Sequence, residues 1–251
     1  MSINLCRDLA HALDPVAFAQ DRLGFDPDPW QRRMLRSERR KAALNCCRQS
    51  GKSTSTSVLA LHTAIYDPGS LVLLIAPALR QSRELFGKVL SFRERLEPSE
   101  VLEEDNRLSC TFASGSRIVC LPGDPKTVRG FSAPALVIED EAAQVDDAMT
   151  AAVRPMLAVS NGRLILMSTP FGRRGHFYET WENGDDDWER IEITAEQCPR
   201  ISADFLKTER AEIGETLFQQ EYRCQFIDSN TSAFSSALID GALSDEFRPF
   251  V

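Results

Sequence analysis

Lys41-Ala42-Ala43-Leu44-Asn45-Cys46-Cys47-Arg48-Gln49-Ser50-Gly51-Lys52-Ser53 is the stretch on which the reading of this chain turns. Its first half, Lys41 to Cys46, is a short apolar run of strand length. Beyond Ser53, the residues Val58, Leu59, Leu61, His62 and Ile65 recur at the spacing of an amphipathic helix that continues to Tyr66. A strand that feeds a tight loop and then a helix start presents free backbone N–H groups and the positive end of the helix dipole to an anion. Gly51-Lys52-Ser53 adds a cation and a hydroxyl, which a phosphate loop uses on the β- and γ-phosphates and on Mg²⁺ respectively. The pattern G-x-x-x-x-G-K-[ST] has Cys46 where its first glycine stands, and a bare Gly-Lys-Ser is also an ordinary polar turn before a helix. On the phosphate-loop reading, Arg48, Gln49, Ser50, Gly51, Lys52, Ser53 and Thr54 bind nucleotide, and Ser53 also binds the metal.

A second stretch supports that reading. Ala135-Leu136-Val137-Ile138-Glu139-Asp140-Glu141 is an apolar run that ends in acids, the pattern of a buried parallel strand delivering carboxylates to the sheet edge where α/β folds hold ligands. Asp140 is expected to hold Mg²⁺ through water, and Glu141 to orient and deprotonate the attacking water. The alternative is a strand closing on a solvated acidic turn. Side chains alternate along a strand, so Glu139 faces away from Asp140 and is left out of the site.

Further strands and helices follow. Leu71 to Ala76 is a continuous apolar run ended by Pro77, and a helix from Leu79 to Leu96 turns Leu85, Phe86, Val89, Leu90 and Phe92 inward. Leu108–Phe112 and Arg117–Leu121 flank Ala113-Ser114-Gly115-Ser116 as an antiparallel hairpin. Arg163 to Ser168 supplies another buried strand, followed by Thr169 and Pro170. Strands alternating with helices give an α/β fold, with a mainly parallel central sheet flanked by helices on both faces. Residues 1–186 are expected to form this core. Trp188, Ile191 and Ile193 suggest a strand and 203–210 and 215–223 suggest helices, so 187–228 are assigned to a small subdomain able to act as a lid.

Composition narrows the class. The 251 residues, 43% of them hydrophobic, suffice for one large domain with an appendage. Seven cysteines without paired metal spacing read as reduced, cytosolic core residues. No segment has the apolar length of a membrane span, and the N-terminus lacks a signal-peptide pattern, so a soluble protein is expected. The net charge of −8 argues against coating nucleic acid by bulk positive charge. It is unevenly spread: residues 1–175 carry 23 basic and 20 acidic side chains, and 176–251 carry 6 and 17. A DNA partner would be gripped locally, by Arg32, Arg33, Arg36, Arg39, Arg40 and Lys41 or by Arg173 and Arg174. A solvated face is the other reading of the first cluster.

In order and spacing, these landmarks resemble the ATPase domain of the large terminase subunit, the motor that packages DNA into tailed-bacteriophage heads. The resemblance rests on Asp28-Pro29-Trp30-Gln31, Cys47-Arg48-Gln49-Ser50-Gly51-Lys52-Ser53, Ala76-Pro77 followed by Gln81, Val128-Arg129-Gly130, Ile138-Glu139-Asp140-Glu141 and Ser168-Thr169-Pro170. Gly175-His176-Phe177-Tyr178-Glu179-Thr180-Trp181 and Phe218-Gln219-Gln220-Glu221-Tyr222 extend it. Loss of the first loop glycine and an arginine three places before Gly51 are usual in that family. The resemblance implies a RecA-like (ASCE) P-loop fold that binds ATP and Mg²⁺. Gln31 would read adenine, for which its amide has the matching donor and acceptor. Arg48 would reach the γ-phosphate within its own subunit, and Arg129 would enter a neighbour's site as an arginine finger. Ser168 and Thr169 would sense hydrolysis and couple it to DNA; as caps for backbone donors they would be structural instead.

The same resemblance implies double-stranded DNA, the portal of a procapsid and the small terminase subunit as partners. It further implies a homo-oligomeric ring, a pentamer when assembled with the isolated domain free to be a monomer, in the cytoplasm of an infected bacterium, with no membrane. Residues 229–251 resemble the linker toward an RNase H-like nuclease domain, so no nuclease activity is expected of this chain. A two-core helicase or remodelling ATPase would need a second RecA-like half, for which 251 residues leave no room. A nucleotide-binding assembly module without turnover would not need Glu141 beside Lys52, Ser53 and Asp140.

Overall fold

The computed structural model describes residues 2–96, 104–105 and 107–227. The chain runs α1 (Ser2–Leu13), α2 (Pro15–Asp21), α3 (Pro29–Arg36), β1 (Lys41–Cys46), α4 (Lys52–Tyr66), β2 (Leu71–Ala76) and α5 (Leu79–Arg93). It continues through β3 (Glu104–Asp105), β4 (Ser109–Thr111), β5 (Arg117–Pro122), α6 (Pro125–Val128), β6 (Leu136–Asp140), α7 (Ala148–Ser160), β7 (Arg163–Ser168), α8 (Gly175–Asn183) and β8 (Trp188–Ile193). Helices α9 (Ala203–Ile213) and α10 (Glu215–Arg223) complete it.

One eight-stranded sheet, in the order β3-β4-β5-β2-β6-β7-β1-β8, organises these elements. From β5 to β8 all neighbours are parallel, while β3 and β4 add an antiparallel edge that includes the expected hairpin. Parallel strands covered on both faces need unbroken apolar runs, and every residue of β2 is buried. Alternate side chains feed two cores. Leu44, Ile138, Ile165 and Met167 join Val58 and Leu61 of α4 and Phe86 of α5 on one face. Ala43, Val137, Leu164 and Leu166 join Met149 and Val153 of α7 and Phe177 of α8 on the other. Because β6, β7 and β1 are adjacent, their C-terminal ends set the acidic pair, Ser168 and the loop after Cys46 side by side.

The expected boundary at residue 187 needs correction. Trp188–Ile193 pairs in parallel with all of β1 and is the last strand of the main sheet. Without β8, β1 would present an unpaired edge, and Trp188, Ile191 and Ile193 are buried against the sheet. Leu206, Phe218, Tyr222, Cys198 and Cys224 from the following segment join the first core and build no core of their own. Residues 229–251, read as a linker, lie outside the described residues.

The basic cluster of the first part is largely paired. Arg32 bonds Asp26, Arg33 bonds Glu189, Arg36 bonds Asp14, and Lys41 bonds both Asp185 and Asp187. Arg39 donates to the Asp186 carbonyl. This face therefore matches the solvated reading better than that of a free polyanion patch.

Candidate functional site

The loop after β1 closes into the start of α4 because two residues take left-handed backbone. Gln49 has φ 61° and Gly51 has φ 91°. Gly51 is required there on two counts: a Cβ would lie 2.6 Å from the Gln31 amide nitrogen and 3.3 Å from the Arg200 guanidinium. Replacing Gly51 with alanine is expected to weaken nucleotide binding by about tenfold or more and to lower Tm by several degrees, because backbone strain and a displaced Gln31 act at once. A binding titration and a thermal melt check this, and wild-type affinity would remove the loop from the binding site.

From this loop Lys52 reaches across to β6, where its Nζ lies 3.3 Å from Glu141 Oε1. Burial acts to lower the Lys52 pKa, but the charges of Glu141 and Asp140 outweigh it and leave the ammonium above its ordinary value. Ser53 Oγ donates to Asp140 Oδ2 at 3.4 Å. Asp140 is itself buried, and loss of water pushes its carboxyl up to about 6, with Lys52 opposing and Glu141 adding to the shift. Glu141 has left-handed backbone, φ 52°, which turns it from the strand toward the loop, and its N–H bonds Asp140 Oδ1 at 3.0 Å. At the end of β7, Ser168 Oγ donates to Glu141 Oε2 at 3.5 Å and accepts from the Ala143 N–H at 3.3 Å. Thr169 beside it is buried.

Lys52, Ser53 and Glu141 border a polar cavity of about 470 Å³ lined by Arg48 to Thr54, by Glu141 and Gln144, and by Gln81, Lys88 and Arg200, while Asp140, Ser168 and Thr169 are not among its lining residues. Arg48 lines it but is turned outward, its guanidinium paired with Glu221 of α10 and its N–H bonded to the Glu221 carbonyl. Gln31 is buried behind the loop. Its Oε1 accepts from the Asp28 N–H at 2.8 Å, capping α3, and its amide donates to the Gly51 carbonyl at 3.3 Å. Protein groups thus occupy one acceptor and one donor site of the amide, and the buried side chain is not among the residues that line the cavity. Arg129, at the end of α6, is exposed, does not line the cavity and makes no ion pair among the described residues.

Sequence reasoning missed two cations of the cavity wall. Lys88 lies two helical turns beyond Gln81 on α5, a spacing that puts both on one face and was open to detection. Arg200 had no such signal: it stands in a loop far along the chain, and bonds Asp28 at 2.7 Å and the Ser50 carbonyl at 2.6 Å. Cys46, where the pattern has glycine, is a buried thiol whose pKa burial pushes up to about 12.

A RecA-like sheet with this loop and this acidic pair defines the class of P-loop nucleotide-binding proteins. Residues 44–240 match a family model described as the N-terminal part of the terminase large subunit, T4likevirus-type, and the chain belongs to that family. It is 29% identical over 249 residues to the terminase large subunit of Thermus phage G20c, covering 85% of this chain and 51% of that protein. Against the probable terminase large subunit of Enterobacteria phage P7 it is 26% identical over 184 residues, covering 66% and 37% respectively. The solved ATPase domain of the Thermus phage P74-26 large terminase superposes with a TM-score of 0.77 at 26% identity, covering 86% of this chain and 100% of that one. The chain spans about half the length of the G20c protein.

Proposed function

We propose that this chain hydrolyses ATP with Mg²⁺ and that the hydrolysis drives double-stranded DNA into a procapsid. The observation that carries the reading is the convergence on Glu141, whose two carboxylate oxygens lie 3.3 Å from Lys52 and 3.5 Å from Ser168 at the mouth of the phosphate loop. The Ser53 hydroxyl and the Asp140 carboxylate fit Mg²⁺, which prefers hard oxygens and takes only one or two from the protein beside waters and phosphate. Among the described residues no group of three or more His, Cys, Asp or Glu could hold a metal by itself. Bound there, Mg²⁺ would neutralise charge on the β- and γ-phosphates.

Lys52 would exchange its bond to Glu141 for the entering phosphates, freeing the carboxylate to take the proton of a water. Arg48 would leave Glu221 to meet the γ-phosphate, and Arg129 would serve the neighbouring subunit of a head-to-tail ring, a pentamer by family resemblance. Gln31 would read adenine with its remaining donor and acceptor. Ser168 and Thr169 would pass the change at Glu141 toward DNA. The partners proposed are DNA, the portal and the small terminase subunit, in the cytoplasm of the infected host. Among the described residues no helix is long and apolar enough to cross a membrane.

A steady-state ATPase assay, with and without double-stranded DNA and across protein concentrations, tests this. Turnover is expected to need Mg²⁺, to stop with a chelator, and to rise with DNA and with concentration. Tight ATP binding without turnover under any of these conditions would favour the assembly-module reading.

A further inference from the structure

On the sheet face opposite the nucleotide, Glu139 is 2% exposed, directly before Asp140 in β6. A carboxylate at such depth needs a partner, and His176 of α8 supplies it, with Nε2 2.5 Å from Glu139 Oε1. The other ring nitrogen, Nδ1, faces Asp147 Oδ1 at 3.3 Å, and the His176 backbone N–H donates to that same oxygen at 2.6 Å. The chain is shaped for this contact: Gly175 has φ 83°, and a Cβ there would meet Asp147 Oδ1 at 3.3 Å.

We propose that His176, clamped between Glu139 and Asp147, is a positioning residue for the ATPase site, fixing the end of β6 that carries Asp140 and Glu141. The inference rests on the ATPase reading above. Carboxylates at both ring nitrogens favour the charged form of the ring, in which both carry protons. Burial works against that charge, but the bonds and charges of Glu139 and Asp147 prevail and raise the imidazole pKa above its ordinary value. On its Glu139 side the clamp borders a cavity of about 480 Å³ with Arg154 from α7, Glu179 from α8 and Asp185 before β8, and on its Asp147 side Asp146 and Arg174 line a second cavity. Of these groups His176 is the one bonded to Glu139.

The clamp also closes a loop around the catalytic acids. Ser168 touches Glu141 from the end of β7, and His176, at the start of α8, holds Glu139. The segment between them is therefore tied at both ends to the strand end that carries the catalytic carboxylate. A shift of Glu141 during the reaction would reach this segment through Ser168, while the bond to His176 holds Glu139 in place.

The test compares His176→Gln, which removes the ring, with His176→Lys, which keeps a cation, and with the double variant Glu139→Gln/His176→Gln, which leaves no buried charge at the clamp. His176→Gln is expected to lower kcat by about tenfold or more while KM stays within about threefold, since the phosphate loop is untouched and the carboxylates lose register. His176→Lys and the double variant should each recover most of the loss. Amide exchange of residues 138–141 in the nucleotide-free protein gives a second readout, expected to speed up in His176→Gln and to return toward wild type in the other two. Wild-type kcat and exchange in His176→Gln would overturn the proposal, as would equal damage in all three variants. If the wild-type chain shows no hydrolysis, the ATPase reading fails, and the exchange measurement alone decides whether the clamp fixes β6.

Discussion

Glu141→Gln is expected to lower ATP turnover by about 10²–10⁴-fold while Mg-ATP binding stays within a few-fold of wild type. The amide keeps the shape of the carboxylate, whose two oxygens lie 3.3 Å from Lys52 and 3.5 Å from Ser168, and can accept from Lys52 and donate to the Ser168 hydroxyl, but it cannot accept a proton from water. In the nucleotide-free chain Glu141 also competes with phosphate for Lys52, so removing its charge should, if anything, favour nucleotide binding. Lys52→Ala gives the contrasting result, because it takes away the buried cation that meets the phosphates and should weaken binding and turnover together. Single-turnover hydrolysis and an equilibrium titration with a fluorescent ATP analogue separate the two variants. Hydrolysis by Glu141→Gln at the wild-type rate would show that another group takes the proton.

The parts of the fold and site that could be read from the residue order are those encoded over short distances. β1, β2, β6 and β7 are buried on both faces and therefore appear as mainly apolar runs, unbroken in β2, and the chemistry stands at the ends of β1, β6 and β7, at Gly51-Lys52-Ser53, Asp140-Glu141 and Ser168-Thr169. β8 escaped assignment to the main sheet because Trp188-Glu189-Arg190-Ile191-Glu192-Ile193 carries the charges of a sheet-edge strand, and that β1 had room for a neighbour is a property of the assembled sheet. The electrostatics of the loop were equally out of reach. Arg48 is held by Glu221, 173 residues away, and Arg200 reaches the Ser50 carbonyl across 150. Alternation along β6 placed Glu139 on the face away from Asp140, but its partner His176 lies 37 residues on, in a helix whose sequence shows only an amphipathic pattern.

Mixing Arg129→Ala chains with Lys52→Ala chains is expected to restore ATPase activity that neither has alone. Arg129 is exposed, stands outside the 470 Å³ cavity, and has no ion-pair partner among the described residues, the condition of a side chain available to another molecule. A head-to-tail ring presents the finger on one surface and the nucleotide on another, so each active site draws on two chains. An Arg129→Ala chain keeps an intact phosphate loop and lacks only the finger it would lend to its neighbour, whereas a Lys52→Ala chain keeps the finger and lacks the site. Where the first sits beside the second in the right order, a complete site forms. Arginine fingers contribute about 10³–10⁵-fold to turnover, so recovery at even a minority of interfaces stands far above the activity of either variant alone. The measurement is ATPase rate against mixing ratio under conditions where co-assembly is shown by sedimentation, with a maximum expected at intermediate ratios. A flat, inactive profile in co-assembled rings would give Arg129 a structural role and leave Arg48, released from Glu221, as the arginine that stabilises the transition state within its own subunit.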